Sequence, residues 1–312
     1  MKPLIVVNPR AGGGKHAPFA ELRGPIERAL GPVDPVFTDH VGHAIDLAEA
    51  GTREGRELII AVGGDGTFSD VVNGVMLGSP ATRGTSQTRV AIIGQGTGGD
   101  FRKTLGLEHR LDRYLAAIAS GRERTIDVGK ARFAGRSGAE TTHYFVNILS
   151  AGMGGLVDEY VSSASRLLGG TAAYFVASTK ALVRTKRARL RCILDGEAVS
   201  LQSYMIAICN GEYFGSGMHV APMAKPDDGA LEVVSMDAPS KLAFATFSRK
   251  IYDGAHVGSP NVRHFACKRI DIDLDPSSED ARETFRLDVD GEPLGGLPLS
   301  VEIVPAALVV RC

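Results

Sequence analysis

The stretch that decides the fold runs Leu58-Ile59-Ile60-Ala61-Val62-Gly63-Gly64-Asp65-Gly66-Thr67-Phe68-Ser69-Asp70-Val71-Val72-Asn73-Gly74. Its apolar first part predicts a buried strand, and the pattern of Phe68–Leu77 predicts a helix directly after the glycines. Thr67 is expected to cap that helix, with Asp70 completing a capping-box-like pair. Unpaired N–H groups at a helix start attract phosphate, and glycines let a ligand approach the backbone. The stretch therefore predicts an anion-binding βα unit, although a tight turn with a capping threonine also explains these residues.

The rest of the first third also alternates between apolar runs and helical patterns. The predicted strands are Leu4–Val7, Val36–Thr38 and Arg89–Ile93, and the predicted helices are Phe19–Leu30 and His43–Ala50. Apolar strands that alternate with helices indicate a parallel sheet covered on both faces. We therefore expect an α/β domain here.

Beyond about Thr125 the pattern changes to short β-like segments separated by Gly and Asp. They are Thr142–Leu149, Leu190–Leu194, Gln202–Cys209, Ala230–Ser235, Ile270–Leu274 and Glu283–Val289. One helical stretch, about Asp158–Arg184, interrupts them, and polar Asp275–Arg282 is expected to be an exposed loop. The predicted division is an α/β domain over 1–124 and a second, mainly antiparallel domain over 125–304.

Composition limits the classes of function. The 312 residues carry a formal net charge of -1, so we expect no nucleic-acid partner, and any phosphate binding must be local. No apolar run approaches the ~20 residues that span a bilayer, and the first apolar run is too short for a signal peptide. Cysteines are scattered, without a Cys-x-x-Cys pair, which favours a reducing cytoplasm over a disulfide framework or a zinc site.

A second glycine loop repeats the theme of the first. The run Val90–Ile93 leads into Gly94-Gln95-Gly96-Thr97-Gly98-Gly99-Asp100-Phe101-Arg102. Two such loops at the carboxyl ends of parallel strands are expected to share one crevice. An acid such as Asp65 beside a phosphate site suits Mg²⁺ binding or the handling of a hydroxyl proton. The dinucleotide spacing of this loop is a weak match, and Gly12-Gly13-Gly14-Lys15 lacks the P-loop spacing.

Five short motifs follow one another along the chain. They are Asn8-Pro9, Gly63-Gly64-Asp65-Gly66-Thr67, Gly96-Thr97-x-x-Asp100-Phe101, Asn210-Gly211-Glu212-Tyr213-Phe214-Gly215-Ser216-Gly217-Met218 and Asp290-Gly291-Glu292-Pro293. Together they resemble the diacylglycerol kinase catalytic-domain family, which includes bacterial lipid kinases, sphingosine kinases and ceramide kinases. The glycine signature alone is shared with phosphofructokinases and NAD kinases. The resemblance covers nearly the whole chain. It implies that the α/β domain over 1–124 binds nucleotide and is joined by a C-terminal strand at about 305–312, and that the mainly antiparallel domain over 125–304 is a β-sandwich.

The resemblance implies a cleft in which ATP, with Mg²⁺, phosphorylates a lipid hydroxyl. Diacylglycerol is the first candidate for the acceptor, and phosphatidylglycerol, ceramide and sphingoid bases stay open. The implied nucleotide contacts are Asn8, Thr38, Gly64, Asp65, Gly66, Thr67, Asp70, Gly96, Thr97 and Asp100. It further implies that Asp65 organises Mg²⁺ and the hydroxyl and that Glu292 is the general base, although these two roles could be exchanged. Thr38 is equally explained as a solvated turn residue, and Asp290-Gly291 as a hairpin turn that presents Glu292.

A second, structural Mg²⁺ is implied in the segment Lys225–Ala230. Its ligands would be the backbone carbonyls of Lys225 and Ala230 and the side chain of Asp228, since Mg²⁺ keeps several waters and needs few protein ligands. A solvated Asp-Asp-Gly turn is the alternative.

The chain departs from the family pattern at three positions. Gly94 stands where the family usually has Pro, Gly99 where it usually has Asn, and Asp70 where it usually has Glu. The retained acids favour an active kinase. The rival hypotheses are a kinase for a soluble substrate such as NAD and a catalytically silent lipid- or nucleotide-binding regulator.

The expected partner is a membrane lipid, met by a cytoplasmic enzyme at the inner membrane surface. The basic run Arg184-Thr185-Lys186-Arg187-Ala188-Arg189-Leu190-Arg191 is a candidate contact for anionic headgroups, although a solvated helix end explains it as well. Whether the chain forms a homodimer is left open by the sequence.

Overall fold

The structure is a computed structural model that describes residues 1–11, 18–79, 85–95, 99–135, 138–163 and 180–312. The sequence-predicted nucleotide contacts Gly96 and Thr97 lie outside the described residues. So does most of the helix predicted over Asp158–Arg184, of which residues 158–163 and 180–184 are described and helical.

The first part of the chain alternates strand and helix. In chain order its elements are Leu4–Val7 (β1), Phe19–Leu30 (α1), Asp34–Phe37 (β2), His43–Arg53 (α2), Leu58–Gly63 (β3), Asp65–Gly78 (α3), Arg89–Gly94 (β4), Asp100–Thr104 (α4) and Leu111–Ser120 (α5). The strands lie in the order β4-β3-β1-β2 and all pair in parallel. Their carboxyl ends, and hence the glycine turns that follow β3 and β4, therefore lie along one edge of the sheet.

The second part is rich in strands. Its elements are Glu123–Gly135 (β5), Glu140–Phe145 (β6), Ile148–Gly152 (β7), Met153–Ser163 (α6), Ala188–Leu194 (β8), Glu197–Ser203 (β9), Met205–Cys209 (β10), Tyr213–Phe214 (β11), Met218–His219 (β12), Leu231–Met236 (β13), Lys241–Ser248 (α7), Val262–Cys267 (β14), Arg269–Leu274 (β15), Arg286–Val289 (β16) and Glu292–Arg311 (β17). Short 3₁₀ helices cover Arg249–Ile251 and Pro276–Thr284.

These strands form a sandwich around a second apolar core. One layer, β14-β13-β10-β7-β16, supplies buried residues such as Ile206 and Val233, and the facing strands β5, β17, β15 and β8 supply others such as Phe133 and Ile270. All pairs within these layers are antiparallel. The far face of β7, β10 and β13 packs against a third apolar cluster that includes Phe244 of α7.

Two long strands connect the parallel sheet to the sandwich. β5 contributes Ile126 and Val128 to the first core and Ala131 to the second. β17 starts in the sandwich and ends beside β4, where Val309 and Val310 pair in parallel with Arg89 and Val90. The division into domains at residue 124 remains a prediction, and the two cores meet within β5.

Helix α3 is fixed on both sides by close packing and by a side-chain clamp. A Cβ on Gly74 would lie 2.3 Å from the carbonyl oxygen of Ile45, so the glycine allows α2 to pack directly against α3. On the other side the buried Asn73 side chain donates to the carbonyl of Tyr144 and accepts from its N–H, both at 2.8 Å. The clamp joins α3 to β6 and hence to the sandwich.

Three of the sequence-based strand predictions and one loop prediction need correction. The segment Gln202–Cys209 is not one strand, because β9 ends at Ser203 and β10 begins at Met205, and the segment Glu283–Val289 is a strand only from Arg286. The segment Thr142–Leu149 is not one strand, because the chain leaves β6 at Phe145 and starts β7 at Ile148. The segment Asp275–Arg282 is not a loop but lies mostly in a 3₁₀ helix, whose first N–H groups are capped by the Asp275 carboxylate at Ser277 and whose Ala281 is buried. Of the helices in the described ranges, none has the length and apolarity needed to cross a membrane.

Candidate active site

The turn from β3 into α3 leaves the helix start open to a ligand. Gly64 precedes the helix in an extended conformation, and no described side chain caps the helix. A Cβ on Gly63 would lie 2.3 Å from Thr67 Oγ1, so a side chain is excluded there by packing. A Cβ on Gly64 would meet no described atom within 4 Å. The first N–H groups of this helix are therefore accessible, and the helix dipole favours an anion next to them.

The sequence-based prediction that Thr67 caps α3 is wrong. The helix begins two residues earlier, at Asp65, so Thr67 lies inside its first turn. Its hydroxyl oxygen instead accepts a hydrogen bond of 3.1 Å from Asn8 Nδ2, beyond the end of β1. Local capping rules could not reveal this partner because it lies far away in the sequence.

Three predicted nucleotide contacts meet at the carboxyl edge of the parallel sheet. Asn8 follows β1 and contacts both β3 and α3. Its backbone N–H donates to the carbonyl of Val62, and its side-chain Nδ2 donates to Thr67 Oγ1. Thr38 continues β2, where its N–H donates to the carbonyl of Val7 at 2.9 Å. Asn8 therefore contacts the first turn of α3, and Thr38 lies next to the end of β1 at the same sheet edge.

The Asp65 carboxylate is anchored on one oxygen only. Its Oδ2 accepts from the N–H of Gly99 at 2.8 Å and from that of Asp100 at 3.3 Å. Its Oδ1 is buried and has no hydrogen-bond partner within the described ranges. Burial, followed by the charge of Asp100, raises the pKa of Asp65, while the backbone N–H groups act against this rise. A buried, unpaired carboxylate oxygen is costly, and a cation or a hydroxyl ligand would relieve that cost.

Glu292 enters this site from the far end of the sequence. Asp290 and Gly291 both have positive φ, 50° and 91°, and form the two-residue hairpin turn between β16 and β17. Glu292 Oε1 is 3.4 Å from the position that a Cβ would take on Gly66. The hairpin thus places the Glu292 carboxylate over the first turn of α3.

Two other aspartates hold this hairpin in place, and sequence reasoning missed both roles. The buried Asp290 carboxylate accepts from the N–H groups of Val146, Asn147 and Ile148 at 3.0–3.1 Å. Asp288 accepts from the N–H of Gly291 at 2.8 Å. The Asp-Gly-Glu-Pro motif drew attention to Asp290. The sequence did not indicate that the N–H groups of residues 146–148 donate to its carboxylate.

Burial and like charge shift the protonation of the clustered acids. Burial first, then the charges of Asp70 and Asp290, raise the pKa of Glu292 to about 8. Burial raises the pKa of Asp70 to about 6. Burial also raises the pKa of Asp290 to about 6, against the effect of its three backbone donors. An acid with a pKa near the working pH is well matched to accepting a proton from a hydroxyl group.

Asp100 connects the site to the sandwich. Its Oδ1 accepts from Lys103 Nζ at 2.7 Å, and its Oδ2 accepts from the N–H of Ser216 at 2.8 Å. The Lys103 ammonium also lies 5.7 Å from the ring centroid of Tyr213. Sequence reasoning had not selected Lys103, Tyr213 or Ser216 as site residues.

Comparison with known proteins identifies the family. The family model described as the diacylglycerol kinase catalytic domain matches residues 2–131, and the one described as the YegS C-terminal NAD kinase beta sandwich-like domain matches residues 147–312. The chain belongs to the diacylglycerol kinase catalytic-domain family. This membership places it among kinases and confirms the recognition made from its motifs.

Relatives from two bacteria match this family member over most of its length. A curated protein named diacylglycerol kinase from Staphylococcus aureus (strain bovine RF122 / ET3-1) is 25% identical over 297 residues, which cover 94% of this chain and 87% of the relative. A solved structure from Bacillus anthracis (strain Sterne), assigned as a diacylglycerol kinase, superposes with a TM-score of 0.75 at 24% identity, covering 99% of this chain and 96% of that one. Another from the same strain gives a TM-score of 0.69 at 21% identity. The predicted fold class, an α/β domain plus an antiparallel β-sandwich, is confirmed.

Two cavities in the described part of this diacylglycerol kinase family member are not lined by the clustered acids. A cavity of about 440 Å³ opens beside Asn8, Phe19, Phe37 and Gln95, at the same sheet edge as the glycine turns. A larger one, about 1030 Å³, lies on the outer side of β5, β8, β15 and β17 and contains none of the predicted site residues. The clustered acids, and not the cavity volumes, therefore indicate where a reaction would take place.

The donor atoms at the acids fit a magnesium ion. Mg²⁺ prefers carboxylate oxygens and retains several waters. Asp65 offers its Oδ1, which has no hydrogen-bond partner within the described ranges, and the charge of Asp70 adds to burial in raising the pKa of Glu292, so these two carboxyl groups lie close together. A divalent cation would offset that charge.

The second predicted magnesium segment forms a turn against β5. The Asp127 carboxylate accepts from the N–H groups of Gly229 and Ala306, both at 2.7 Å. Asp228 is exposed, and its Oδ1 accepts from the N–H of Ala230 at 3.1 Å. The predicted carboxylate and one of the predicted carbonyl residues are therefore adjacent, and the metal site itself stays a prediction.

Proposed function

We propose that the chain is a lipid kinase that uses Mg²⁺ and ATP to phosphorylate the hydroxyl group of diacylglycerol. One observation carries the proposal: the Glu292 carboxylate lies over Gly66 in the first turn of α3. Gly66 directly follows Asp65, whose buried Oδ1 has no hydrogen-bond partner among the described residues. A helix start that binds phosphate and an acid with a pKa of about 8 are thereby brought to one place.

The side chains at this place divide the work of phosphoryl transfer. The open N–H groups of α3 hold the phosphates, and Asp65, kept in place by Gly99 and Asp100, holds the cation. Bound Mg²⁺ supplies neutralisation of the phosphate charge. Glu292 accepts the proton of the acceptor hydroxyl while the oxygen of that hydroxyl forms the new bond to the γ-phosphorus. The bond from that phosphorus to the bridging oxygen breaks, and ADP leaves with that oxygen.

A lipid substrate requires an approach to a membrane surface, and one exposed region suits it. Val183 and Leu242 are 68% and 77% exposed, which is high for large apolar side chains. Lys241 connects them, since its ammonium donates to the carbonyl of Val183. Apolar side chains flanked by lysine match an anionic bilayer, where apolar groups insert and cations meet headgroups.

The basic run predicted to contact headgroups is less suited to that role. Lys186 pairs with Asp280 at 2.8 Å, Arg187 pairs with Asp237 at 2.5 Å, and Arg191 lies 3.9 Å from Asp273. These acids offset the positive charge of the run. We therefore assign docking to Val183, Lys241 and Leu242.

A γ-labelled ATP assay against a panel of acceptors tests the proposal. The panel contains diacylglycerol, phosphatidylglycerol, ceramide, a sphingoid base and NAD, with Glu292→Gln as the control for background transfer. Label in diacylglycerol, lost in the variant, supports the proposed function. Label in NAD supports a soluble-substrate kinase, and nucleotide binding without transfer to any acceptor supports a silent regulator. Either of the last two results contradicts the proposal.

A further inference from the structure

Three side chains of the types that bind transition metals converge in the short segment between β2 and α2. They are those of Asp39, His40 and His43. One nitrogen of each histidine and one oxygen of the aspartate lie within 4.8 Å of one another. Within the described ranges, no other group of three His, Cys, Asp or Glu side chains converges in this way. The segment is therefore a candidate cation site, and it shares no residue with the clustered acids.

The local backbone brings the two histidines to one side of the turn. Gly42 has a φ of 83°, a left-handed conformation that glycine adopts without strain. The N–H of His43, the first residue of α2, donates to the carbonyl of His40 at 3.4 Å. The two imidazole rings stack, with their centroids 4.6 Å apart and 11° between their planes. Both rings can therefore present the same edge to the Asp39 carboxylate.

Both histidines direct Nδ1 toward the same oxygen, Asp39 Oδ1. For His43 the distance between nitrogen and oxygen is 2.7 Å, and His40 Nδ1 contacts this oxygen as well. The backbone N–H of Asp39 donates to His43 Nδ1 at 3.3 Å, so this nitrogen carries a lone pair. A lone pair that faces a carboxylate oxygen at 2.7 Å is repelled by it. A cation bound by both atoms would replace that repulsion with two bonds.

The donor atoms indicate the class of cation. Two imidazoles and one carboxylate suit Zn²⁺ and its neighbours in the first transition row, whereas Mg²⁺ prefers oxygen ligands. Zinc ligands lie about 2.0–2.1 Å from the ion, so the donor atoms of a tetrahedral site are about 3.3 Å apart. The side chains of Asp39 and His40 are 75% and 61% exposed, so they can rotate to that spacing without disturbing a core.

We propose that Asp39, His40 and His43 form a binding site for a transition-metal ion of the zinc class. Three protein ligands leave one position of the ion for water, so the bound ion is accessible and exchangeable. The helix dipole disfavours a cation at the start of α2, and the negative charge of Asp39 offsets this effect. The ion would link the segment that follows β2 to the first residue of α2.

Calorimetric titration of the full chain, without a histidine tag, with ZnCl₂ tests the site. We expect one zinc ion to bind per chain. His40→Ala, His43→Ala and Asp39→Asn should each weaken zinc binding by about tenfold or more, because even the loss of an outer-shell partner costs about 10- to 100-fold in metal affinity. His264→Ala is the matched control and should bind zinc like the wild type. His264 pairs with the carboxylate of Glu232 but belongs to no such three-residue cluster among the described residues.

A second set of measurements separates this site from the clustered acids. Asp65→Asn should bind zinc like the wild type, and so should the wild type in excess Mg²⁺, because imidazole is a poor ligand for Mg²⁺. X-ray absorption at the zinc edge should show two imidazole nitrogens at about 2.0–2.1 Å from the ion. These measurements need neither nucleotide nor lipid. Failure of the proposed function would therefore leave the result on zinc unchanged.

Four results would overturn the proposal. They are an absence of zinc binding by the wild type, wild-type affinity in both His40→Ala and His43→Ala, an equal loss of affinity in His264→Ala, and loss of zinc binding in Asp65→Asn. Circular dichroism verifies that each variant is folded. His40 is exposed, so His40→Ala is expected to fold, and it decides the question together with the absorption spectrum if His43→Ala does not.

Discussion

Glu292 and Gly66 are brought together by the hairpin of the sandwich and the first helical turn of the parallel-sheet unit. Glu292 Oε1 lies 3.4 Å from the place of a Cβ on Gly66. Apart from the chain neighbours of Gly66 and the backbone of its own helix, no other described atom comes within 4 Å of that place. The contact therefore joins the two halves of the site across the junction between the two cores. It also buries a carboxylate, and the consequences of that burial are measurable.

Glu292→Gln is expected to abolish transfer and to stabilise the fold. Loss of a general base typically costs about 10²- to 10⁴-fold in rate. The pKa of Glu292 in the folded chain, about 8, is above its ordinary value of 4.5, so the folded state holds this proton more tightly than the unfolded state does. Its contribution to the free energy of unfolding is therefore present below about pH 4.5 and is lost as the pH rises through 8.

The variant cannot ionise at this position and escapes that loss. Its melting temperature should exceed that of the wild type by about 2–4 °C at pH 9, equivalent to about 1 kcal/mol, and by little at pH 5. Calorimetry at both pH values checks this. A constant difference at both would show that the Glu292 carboxylate is not the cause.

The pH dependence of catalysis should report the ionisation of Glu292. Because the base must be unprotonated, kcat/KM should rise between pH 6 and 8 and level off above. The charge of Asp70 contributes to the raised pKa of Glu292, so Asp70→Asn should move the limb to lower pH. Asp112→Asn, at an exposed position of α5, is the matched control and should leave the limb unchanged. Limbs that coincide in the wild type and Asp70→Asn would contradict the electrostatic coupling.

The local pattern of the sequence predicts elements well wherever neighbours in sequence determine them. Helix α1 covers the stretch near which a helix is predicted, since its periodic apolar face depends only on its own residues. Strand β2 begins at Asp34, two residues before the predicted start. The prediction started too late because Pro35 is unfavourable in most strands. Proline is tolerated here because β2 lies at the edge of the sheet.

Contacts between distant parts of the chain account for what could not be predicted. The break between β6 and β7 is stabilised by the Asp290 carboxylate, which binds the N–H groups of residues 146–148. The partner of Thr67 is Asn8, and the anchors of Asp65 are backbone groups of Gly99 and Asp100. The motifs could identify the acids, but not the groups that hold them.

Asp65→Asn is expected to abolish transfer while the fold stays intact. The amide oxygen can still accept from Gly99 and Asp100, but the other position becomes an NH₂ group that cannot bind a cation. A loss of about 10³-fold in kcat or more is expected, by analogy with the removal of other groups that stabilise transition-state charge. The assay is γ-labelled transfer to diacylglycerol, with circular dichroism to verify folding. Near-normal turnover would refute the role given to Asp65.

Asp290→Asn should destabilise the hairpin that presents Glu292. An amide has one acceptor oxygen in place of two and turns donors toward the N–H groups of Val146, Asn147 and Ile148. Leaving buried donors unpaired costs about 1–3 kcal/mol, to be measured as the free energy of unfolding in urea.

The chain supplies a matched control for this variant in Asp195. Asp195-Gly196 is also a hairpin turn with positive φ at both residues, and its carboxylate accepts from the N–H groups of Lys268 and Arg269, but it is exposed. Water can replace these bonds, so Asp195→Asn should cost less than about 1 kcal/mol. Equal losses in both variants would show that burial of Asp290 is not decisive.

Leu242→Ser should weaken membrane docking without affecting the chemistry. Removal of this exposed side chain loses the apolar area that it would bury in a bilayer, and a loss of about 1.4 kcal/mol corresponds to about tenfold weaker binding to phosphatidylglycerol vesicles. Activity on diacylglycerol in those vesicles should fall in parallel, whereas activity on a monomeric short-chain diacylglycerol should stay unchanged. Ile193→Ser is the matched control, because Ile193 is 47% exposed and belongs to β8, on the outer side of the sandwich. Equal effects of the two variants on vesicle binding would exclude Val183, Lys241 and Leu242 as the docking surface, because position would then not matter.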